Sequence, residues 1–393
     1  MASTPFYSWD ITADTNVRDV SDYLAAVLYA EQRFIGRVQI GEAVTDMKYE
    51  WMEETGNDLF ITQSGSGDLS GATSQTTLDI ASTPKTLHID CVLKEPASAE
   101  TVRVSSLTSG IEIEVERGYN GIKTTHASGA KWEILFWARG EGSTKEGNKI
   151  KSTHPLHNVT STFRWDMSAT RNQVKRNMHA MSDFWAHNIE LRTKEFKFQL
   201  PKALLYSTFN PSLVSGATHD GMTDGSEVQT MKGLRDFIVN PVYGTAIKNT
   251  VAQPISLKLV NTLVRQITEK GADGDGGRFV ALMSPSQAER CSYIAADKLR
   301  YDPNVTKRGN YVSTLMTALG VDVDIVYDAA VQDTDLYILT MSKISLHPFT
   351  GAAWFTKHYD SDFDGVEVGI LGEWTCKVIN ADQEFAIATA LTL

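Results

Sequence analysis

The sequence predicts a mixed α+β fold, and three runs of distinct hydrophobic period along its 393 residues carry that prediction. Between Leu87 and Trp137 apolar residues alternate with polar ones. Ile111, Ile113 and Val115 stand on one face and Glu112, Glu114 and Glu116 on the other, the period of a strand half in water and half in a core. At Val174 the period changes: Val174, Met178, Met181, Trp185 and Ile189 fall at i, i+4, i+7, i+11 and i+15, one stripe of a long helix. After Gly320 the alternation returns. Strands and helices gathered into separate runs are the mark of an α+β chain.

The elements follow in order. Residues 1–16 are polar with aromatic Phe6, Tyr7 and Trp9, and read as an extended arm. Val20, Tyr23, Leu24, Val27 and Leu28 predict a short helix ending before Gly36. Lys48–Trp51 reads as a strand, and the Ser/Gly/Thr-rich residues 64–77 as a flexible loop. A small β module follows, with strands at Leu87/Ile89/Cys91, Val102/Val104, Ile111/Ile113/Val115 and Trp132/Ile134/Phe136. A connector at 139–151 closes it, and 157–167 return as a strand.

The long helix is expected over 168–199, ending before Pro201. Residues 206–230 read as loop. A helix over 254–270 buries Leu257, Leu259 or Val260, Leu263 and Ile267. Residues 278–283 form a strand, and Ser284-Pro285 places a cap and a first-turn proline at the start of another helix. Val321/Val323/Ile325/Tyr327, Leu336–Met341, Val366/Val368/Ile370, Trp374/Cys376/Val378 and Phe385/Ile387/Thr389/Leu391 are the closing strands.

Composition narrows the class. With 42% apolar and 22% charged residues, the chain can bury a sizeable core, and its length suits two or three domains. A balance of 37 basic to 48 acidic side chains gives a net charge of −11, which argues against tight nucleic-acid binding. Cys91, Cys291 and Cys376 are widely spaced and odd in number, and read as buried reduced thiols. Met1–Asp10 lack the basic and apolar segments of a secretory signal, and no window approaches the ~18 apolar residues of a membrane span, so a soluble intracellular product is expected.

A search for chemistry finds little. Gly142–Ile150 has the glycine spacing of a phosphate loop, but Asn148 stands where its lysine belongs. No Gly-x-Ser-x-Gly elbow occurs. His154 and His157 flank Pro155 and read as solvated or capping groups. Asp360, Asp362 and Asp364 with Gly365 reproduce the first half of a calcium loop. The twelfth position is Leu371 rather than glutamate and the flanks are strands, so a polar hairpin turn is the reading and the trio is only a weak metal candidate. Trp132, Trp137, Trp185 and Trp374 stand at core phases of their elements. No catalytic or cofactor-binding residue emerges.

Six motifs in sequential order carry a family resemblance: Tyr49-Glu50-Trp51; Glu116–Gly121 with Gly129-Ala130 and Glu141-Gly142; Asn158-Val159-Thr160; the helix 168–199; Met231–Ile238; and Glu373-Trp374-Thr375 with the last strand. Together they resemble the major coat proteins of tailed double-stranded-DNA bacteriophages, of the Hong Kong 97-type fold, in the subfamily with a β insertion before the spine helix. Cys376 stands where that family usually has leucine, and 58–83 has no clear counterpart.

The resemblance implies an N-terminal arm and short helix over 1–44 and an extended loop over 45–165 carrying the β module at about 85–140. It implies a peripheral domain over 166–240, an axial domain over 241–335, and C-terminal strands 336–393 returning to the peripheral domain. It implies a non-enzymatic major capsid protein that forms hexamers and pentamers of an icosahedral head. The acidic charge suits a wall that encloses DNA through weak, non-specific contact. No long charged helical segment precedes the arm, so a separate scaffolding protein is expected, together with a portal and room for a decoration protein. Assembly is expected in the host bacterial cytoplasm, and the product in the virion. The alternatives are a cellular nanocompartment shell, a β-rich carbohydrate-binding or adhesin protein, and an enzyme with a dispersed active site.

Overall fold

The computed structural model describes residues 33–54, 60–64, 76–80, 87–108, 111–137, 141, 153–175, 184–210, 229–296, 313–360 and 364–392. The arm, the helix expected at Val20–Leu28, the segment Gly142–Ile150, Met178, Met181 and Asp362 lie outside the described residues, as do most of 64–77 and 206–230.

The described chain opens with a 3-10 turn at Ile35–Arg37, then strand β1 (Gln39–Ile40) and β2 (Lys48–Glu54), where the strand expected at Lys48 is found and runs three residues beyond Trp51. The β module comprises β3 (Phe60–Thr62), β4 (Thr77–Asp79), β5 (Cys91–Lys94), β6 (Thr101–Leu107), β7 (Glu112–Glu116) and β8 (Lys131–Trp137). They pair in the order β3-β8-β5-β6-β7-β4. The sheet thus recruits two edge strands from the stretch that sequence reading left as loop or without a counterpart. β3 and β4 are three residues each, too short to show a period.

The strand expected from Leu87 begins at Cys91, because Asp90 adopts φ 71° and turns the chain. Its inner face packs Leu78, Leu93, Val102, Val104, Ile113, Val115 and Trp132 into one buried cluster. Trp137, expected in that core, is 56% exposed. A register shift between Val92 and Leu93 puts Phe136 opposite Val92, out of phase with Trp132 and Ile134, and Phe136 is 52% exposed.

Strand β9 (Thr153–Val159) returns antiparallel to β2, and β10 (Ser161–Thr170) follows. The single strand expected over 157–167 is therefore two, divided at Thr160. The alternation of half-buried Phe163, Trp165, Met167 and Ala169 carries β10 to Thr170, so the helix expected from 168 starts later. Its described parts are α1 (Arg171–Lys175) and α2 (Phe184–Lys197), and α3 (Gln199–Tyr206) follows. Pro201 does not stop the chain. It sits in the first turn of α3, where its missing N–H would have no intrahelical partner anyway. On α2 Trp185 and Ile189 are half-buried, and the buried residue is Phe196.

Next come α4 (Leu234–Val239), β11 (Lys248–Thr250) and α5 (Leu257–Glu269). Ser256 caps α5 by accepting from the Leu259 amide, and Val260, Leu263, Val264 and Ile267 form its buried stripe. Strand β12 (Arg278–Met283) leads into α6 (Pro285–Ala296), with Pro285 first and Ser284 accepting from Gln287 N at 3.4 Å, as expected. Strands β13 (Thr314–Met316), β14 (Asp322–Tyr327), β15 (Leu336–Leu339), β16 (Ile344–Pro348), β17 (Phe355–Tyr359), β18 (Gly365–Val378) and β19 (Ala386–Thr389) complete the chain. β18 is one continuous strand where sequence reading expected two.

The chain forms two compact units. The smaller holds the described residues of 163–200 and 354–372. There Phe163, Trp165, Phe196 and Trp354 form an aromatic cluster with ring centroids 5.3 to 6.4 Å apart, and β17 pairs with the first half of β18. The larger holds the described residues of 32–162, 201–353 and 373–393. Its six-stranded sheet, β11-β19-β15-β12-β14-β13, is covered by α5 and α6 over a core that includes Leu263, Ile267, Phe279, Met283, Ile325 and Ile338. In the same unit, the second half of β18 pairs with β16 and β16 with β1.

Candidate functional site

The turn after β7 holds the first described glycines at positive φ. Gly118 and Gly121 lie at φ 67° and 82°, a region that side-chain-bearing residues rarely adopt. The turn sends Arg117 inward. Its guanidinium, 2% exposed, forks onto the Glu100 carboxylate, 0% exposed, with Nε–Oε1 and N–Oε2 distances both 2.9 Å. Glu100 Oε2 also accepts from Thr124 N at 2.7 Å and from His126 Nε2 at 2.8 Å. The Arg117 guanidinium donates in addition to Thr124 O.

Burial alone would raise the Glu100 pKa. The donors from Arg117, Thr124 and His126 outweigh it and hold the carboxyl down at about 2. Asn120 closes the turn from outside, donating to Ala99 O at 2.7 Å and accepting from Thr101 N and Ile122 N. The segment Arg117–His126 joins strands that do not pair with each other, so it closes no hairpin; it locks against the loop that ends at Glu100. Sequence reading missed Glu100, whose only signal is a carboxylate immediately before an apolar alternating strand.

A second knot joins motifs more than 200 positions apart. Asn158 Nδ2 donates to Cys376 O at 2.8 Å and to Lys232 O at 3.2 Å, while Oδ1 accepts from Lys232 N at 2.7 Å and from its own neighbour Val159 N at 2.9 Å. The Cys376 thiol donates to Lys232 O at 3.0 Å, and burial pushes that thiol up to about 12. Met231 N donates to Ser161 Oγ at 2.6 Å, and Thr160 Oγ1 to Glu373 Oε1 at 2.5 Å. The Lys232 ammonium, its pKa lowered by burial, donates to Asn240 O at 2.8 Å and lies 4.8 Å from the Phe237 ring centre. Three short motifs distant in sequence meet at one buried point.

The remaining candidates are brought together less. Asp360 and Asp364 lie between the paired strands β17 and β18. Asp364 faces Arg171 at 3.0 Å, and its carbonyl accepts from Arg171 N at 3.0 Å. His154 stacks on Tyr243 at 4.4 Å and His157 meets Phe209 edge-on at 5.6 Å, so both pack on aromatic rings. All three cysteines are buried and none is in a disulfide. Among the described residues no group of three or more His, Cys, Asp or Glu is placed to hold a metal ion, and no helix is long and apolar enough to cross a membrane.

Buried ion pairs, fully used amides and interlocked turns hold shape; they move no proton and attack no bond. They sit on an α+β scaffold in which a β module is set between two paired strands. The family of the SU10 major capsid protein matches residues 6–392, and the chain belongs to that family. The protein is accordingly a major capsid protein of phage icosahedral heads, located in the virion and not an enzyme.

Among solved structures, the chain is similar to the capsid asymmetric unit of cyanophage A-1(L), at 10% identity and a TM-score of 0.53 over 97% of this chain and 98% of that one. It also matches a Microbacterium phage Oxtober96 chain (12% identity, TM-score 0.49, 98% and 99% covered) and the capsid of an empty GTA particle (8%, 0.49, 97% and 97%). The cyanophage likeness shows the α+β coat fold of the Hong Kong 97 type. No curated protein sequence matches the chain.

Proposed function

We propose that the chain assembles into hexamers and pentamers of a head enclosing double-stranded DNA, with residues 45–165 acting as an extended loop that reaches a neighbouring copy. The observation that carries this reading is the ribbon formed by β2 and β9. Seven register pairs, from Lys48↔Val159 to Glu54↔Thr153, take the chain out and bring it back, with the whole β module inserted between. Such a ribbon is roughly 20 Å long. A module with its own buried core and its own ionic lock can be carried on a stalk of this kind without losing shape.

In this reading 1–44 is an arm and 166–240 a peripheral domain. Residues 241–335 form an axial domain around the capsomer centre, and 336–393 return to the peripheral domain. Each copy then makes several weak contacts at once, and multivalency closes the shell. A separate scaffolding protein sets the size, a portal joins the same lattice with room left for a decoration protein, and assembly takes place in the host bacterial cytoplasm. Electron microscopy of the chain expressed alone and with its neighbouring genes tests the reading. Irregular or absent shells alone and uniform DNA-competent heads in company are expected. A persistent monomer under both conditions refutes it, and uniform shells from the chain alone remove the scaffolding protein from it.

A further inference from the structure

The two edges of the β module differ in charge. Along one edge, Asp79 on β4 stands beside Glu112 on β7, and Glu114 and Glu116 continue the outward face of β7. Glu116 is met by Arg103 at 3.3 Å, whereas Glu112 and Glu114 have no ion-pair partner among the described residues. At the other edge, β3 and β8 border a cleft of about 340 Å³ whose lining includes Lys131, Lys248, Arg265 and Lys270 against one carboxylate, Glu269. Glu269 is 3.7 Å from Arg265, and Lys270 is occupied by the carbonyls of Thr245 and Asp382. Lys131 and Lys248 are exposed and without an ion-pair partner among the described residues.

Three strand spacings separate β8, which carries Lys131, from β7, which carries Glu112 and Glu114, about 14 Å. The sheet therefore holds these carboxylates beyond ion-pair distance of Lys131 in the same chain. Two complementary patches on opposite sides of one body are what a head-to-tail contact requires, and head-to-tail contacts that close generate rings.

We propose that the acidic β7 edge of one copy, through Glu112 and Glu114, docks into the cationic cleft of the next, through Lys131 and Lys248. The proposal rests on the capsomer reading above and gives it a named intersubunit contact. The pairing sets direction around the ring, because like edges repel and unlike edges attract.

The test uses the full chain under conditions where wild type forms shells, measured by gradient sedimentation. Glu112→Lys with Glu114→Lys, and separately Lys131→Glu with Lys248→Glu, are each expected to lower shell yield by about tenfold or more through like-charge juxtaposition. All four changes in one chain are expected to raise the yield above that of either pair alone. A pair assembling at wild-type yield overturns the proposal, as does a fourfold variant no better than the pairs. Shells of the lysine pair that form normally but hold less DNA also overturn it, by giving the cleft to nucleic acid. Unfolding midpoints in urea are expected to stay at the wild-type value because these groups lie at the surface. Should a pair misfold, glutamine at the same positions and the salt dependence of yield decide the same question: salt-insensitive assembly in wild type rejects the contact. Wild-type chain that never forms shells defeats the capsomer reading itself, a different result.

Discussion

Arg117 and Glu100 meet as a two-pronged ion pair sealed from water, with both contacts at 2.9 Å and side chains 2% and 0% exposed. Such a pair specifies a geometry more than it adds net stability, because desolvation of both charges offsets much of their attraction. Breaking one partner is another matter. Arg117→Met leaves a buried carboxylate with fewer donors and is expected to cost about 3–5 kcal/mol in urea unfolding of the unassembled chain. Replacing both residues with apolar ones of similar volume is expected to recover most of that loss. A single variant with the wild-type midpoint contradicts the assignment.

The same carboxylate makes stability depend on pH. Its folded pKa of about 2 lies below the ordinary glutamate value of about 4.3. Folding therefore favours the ionised form, and the contribution is complete above about pH 5 and lost as pH falls toward 2. On the order of 3 kcal/mol is involved. Urea midpoints of wild type and Glu100→Gln are expected to converge as the solution is acidified over that window. Parallel curves would show that Glu100 does not titrate as the geometry requires.

Asn158 uses both amide hydrogens and its oxygen at the junction of three distant segments. Asn158→Asp keeps the size but turns two donors into an acceptor facing the carbonyls of Lys232 and Cys376. A loss of about 3 kcal/mol is expected, read as a lowered thermal midpoint. Indifference to the change rejects the junction.

Gly233 is the tightest backbone approach in this junction: a Cβ there would stand 2.7 Å from both the amide nitrogen and the carbonyl oxygen of Ser207. Gly233→Ala is expected to destabilise by about 1–3 kcal/mol, since neither backbone can give way cheaply. Gly36→Ala, where nothing lies within 4 Å, serves as the comparison and is expected to be near neutral.

Burial pushes the Cys291 thiol up to about 11 and Cys376 up to about 12, and Cys91 is buried as well. No thiol is expected to react with a chromogenic disulfide reagent in the native chain at pH 8, and three in denaturant. One fast native thiol rejects this.

Asp364 is engaged by Arg171 through both side chain and backbone, and its loop lacks the bidentate glutamate of a calcium cage. Titration with calcium is expected to give no heat and no shift in unfolding temperature. A micromolar site would reverse the reading of Asp360, Asp362 and Asp364.

Periodicity alone determined most of what is local in this protein. The alternation around Ile113, the stripe of α5 and the cap at Ser284 each follow from which face of an element meets water, and neighbours within one turn or one strand decide that. The order of six short motifs pointed to a coat protein because order along a chain survives where identity does not. The tertiary structure decided everything that depends on distant partners. β3 and β4 are too short to show a period and exist because β8 and β7 supply their hydrogen bonds. Pro201 was read as a stop but sits where a helix tolerates it. The register shift at Val92 turned Phe136 out of phase with Trp132 and Ile134. Glu100 met Arg117, and Asn158 met Cys376, across separations at which sequence carries no distance. Only the folded backbone brings such groups within 3 Å, and only there does exclusion of water turn an ordinary glutamate and an ordinary asparagine into fixed points of the fold.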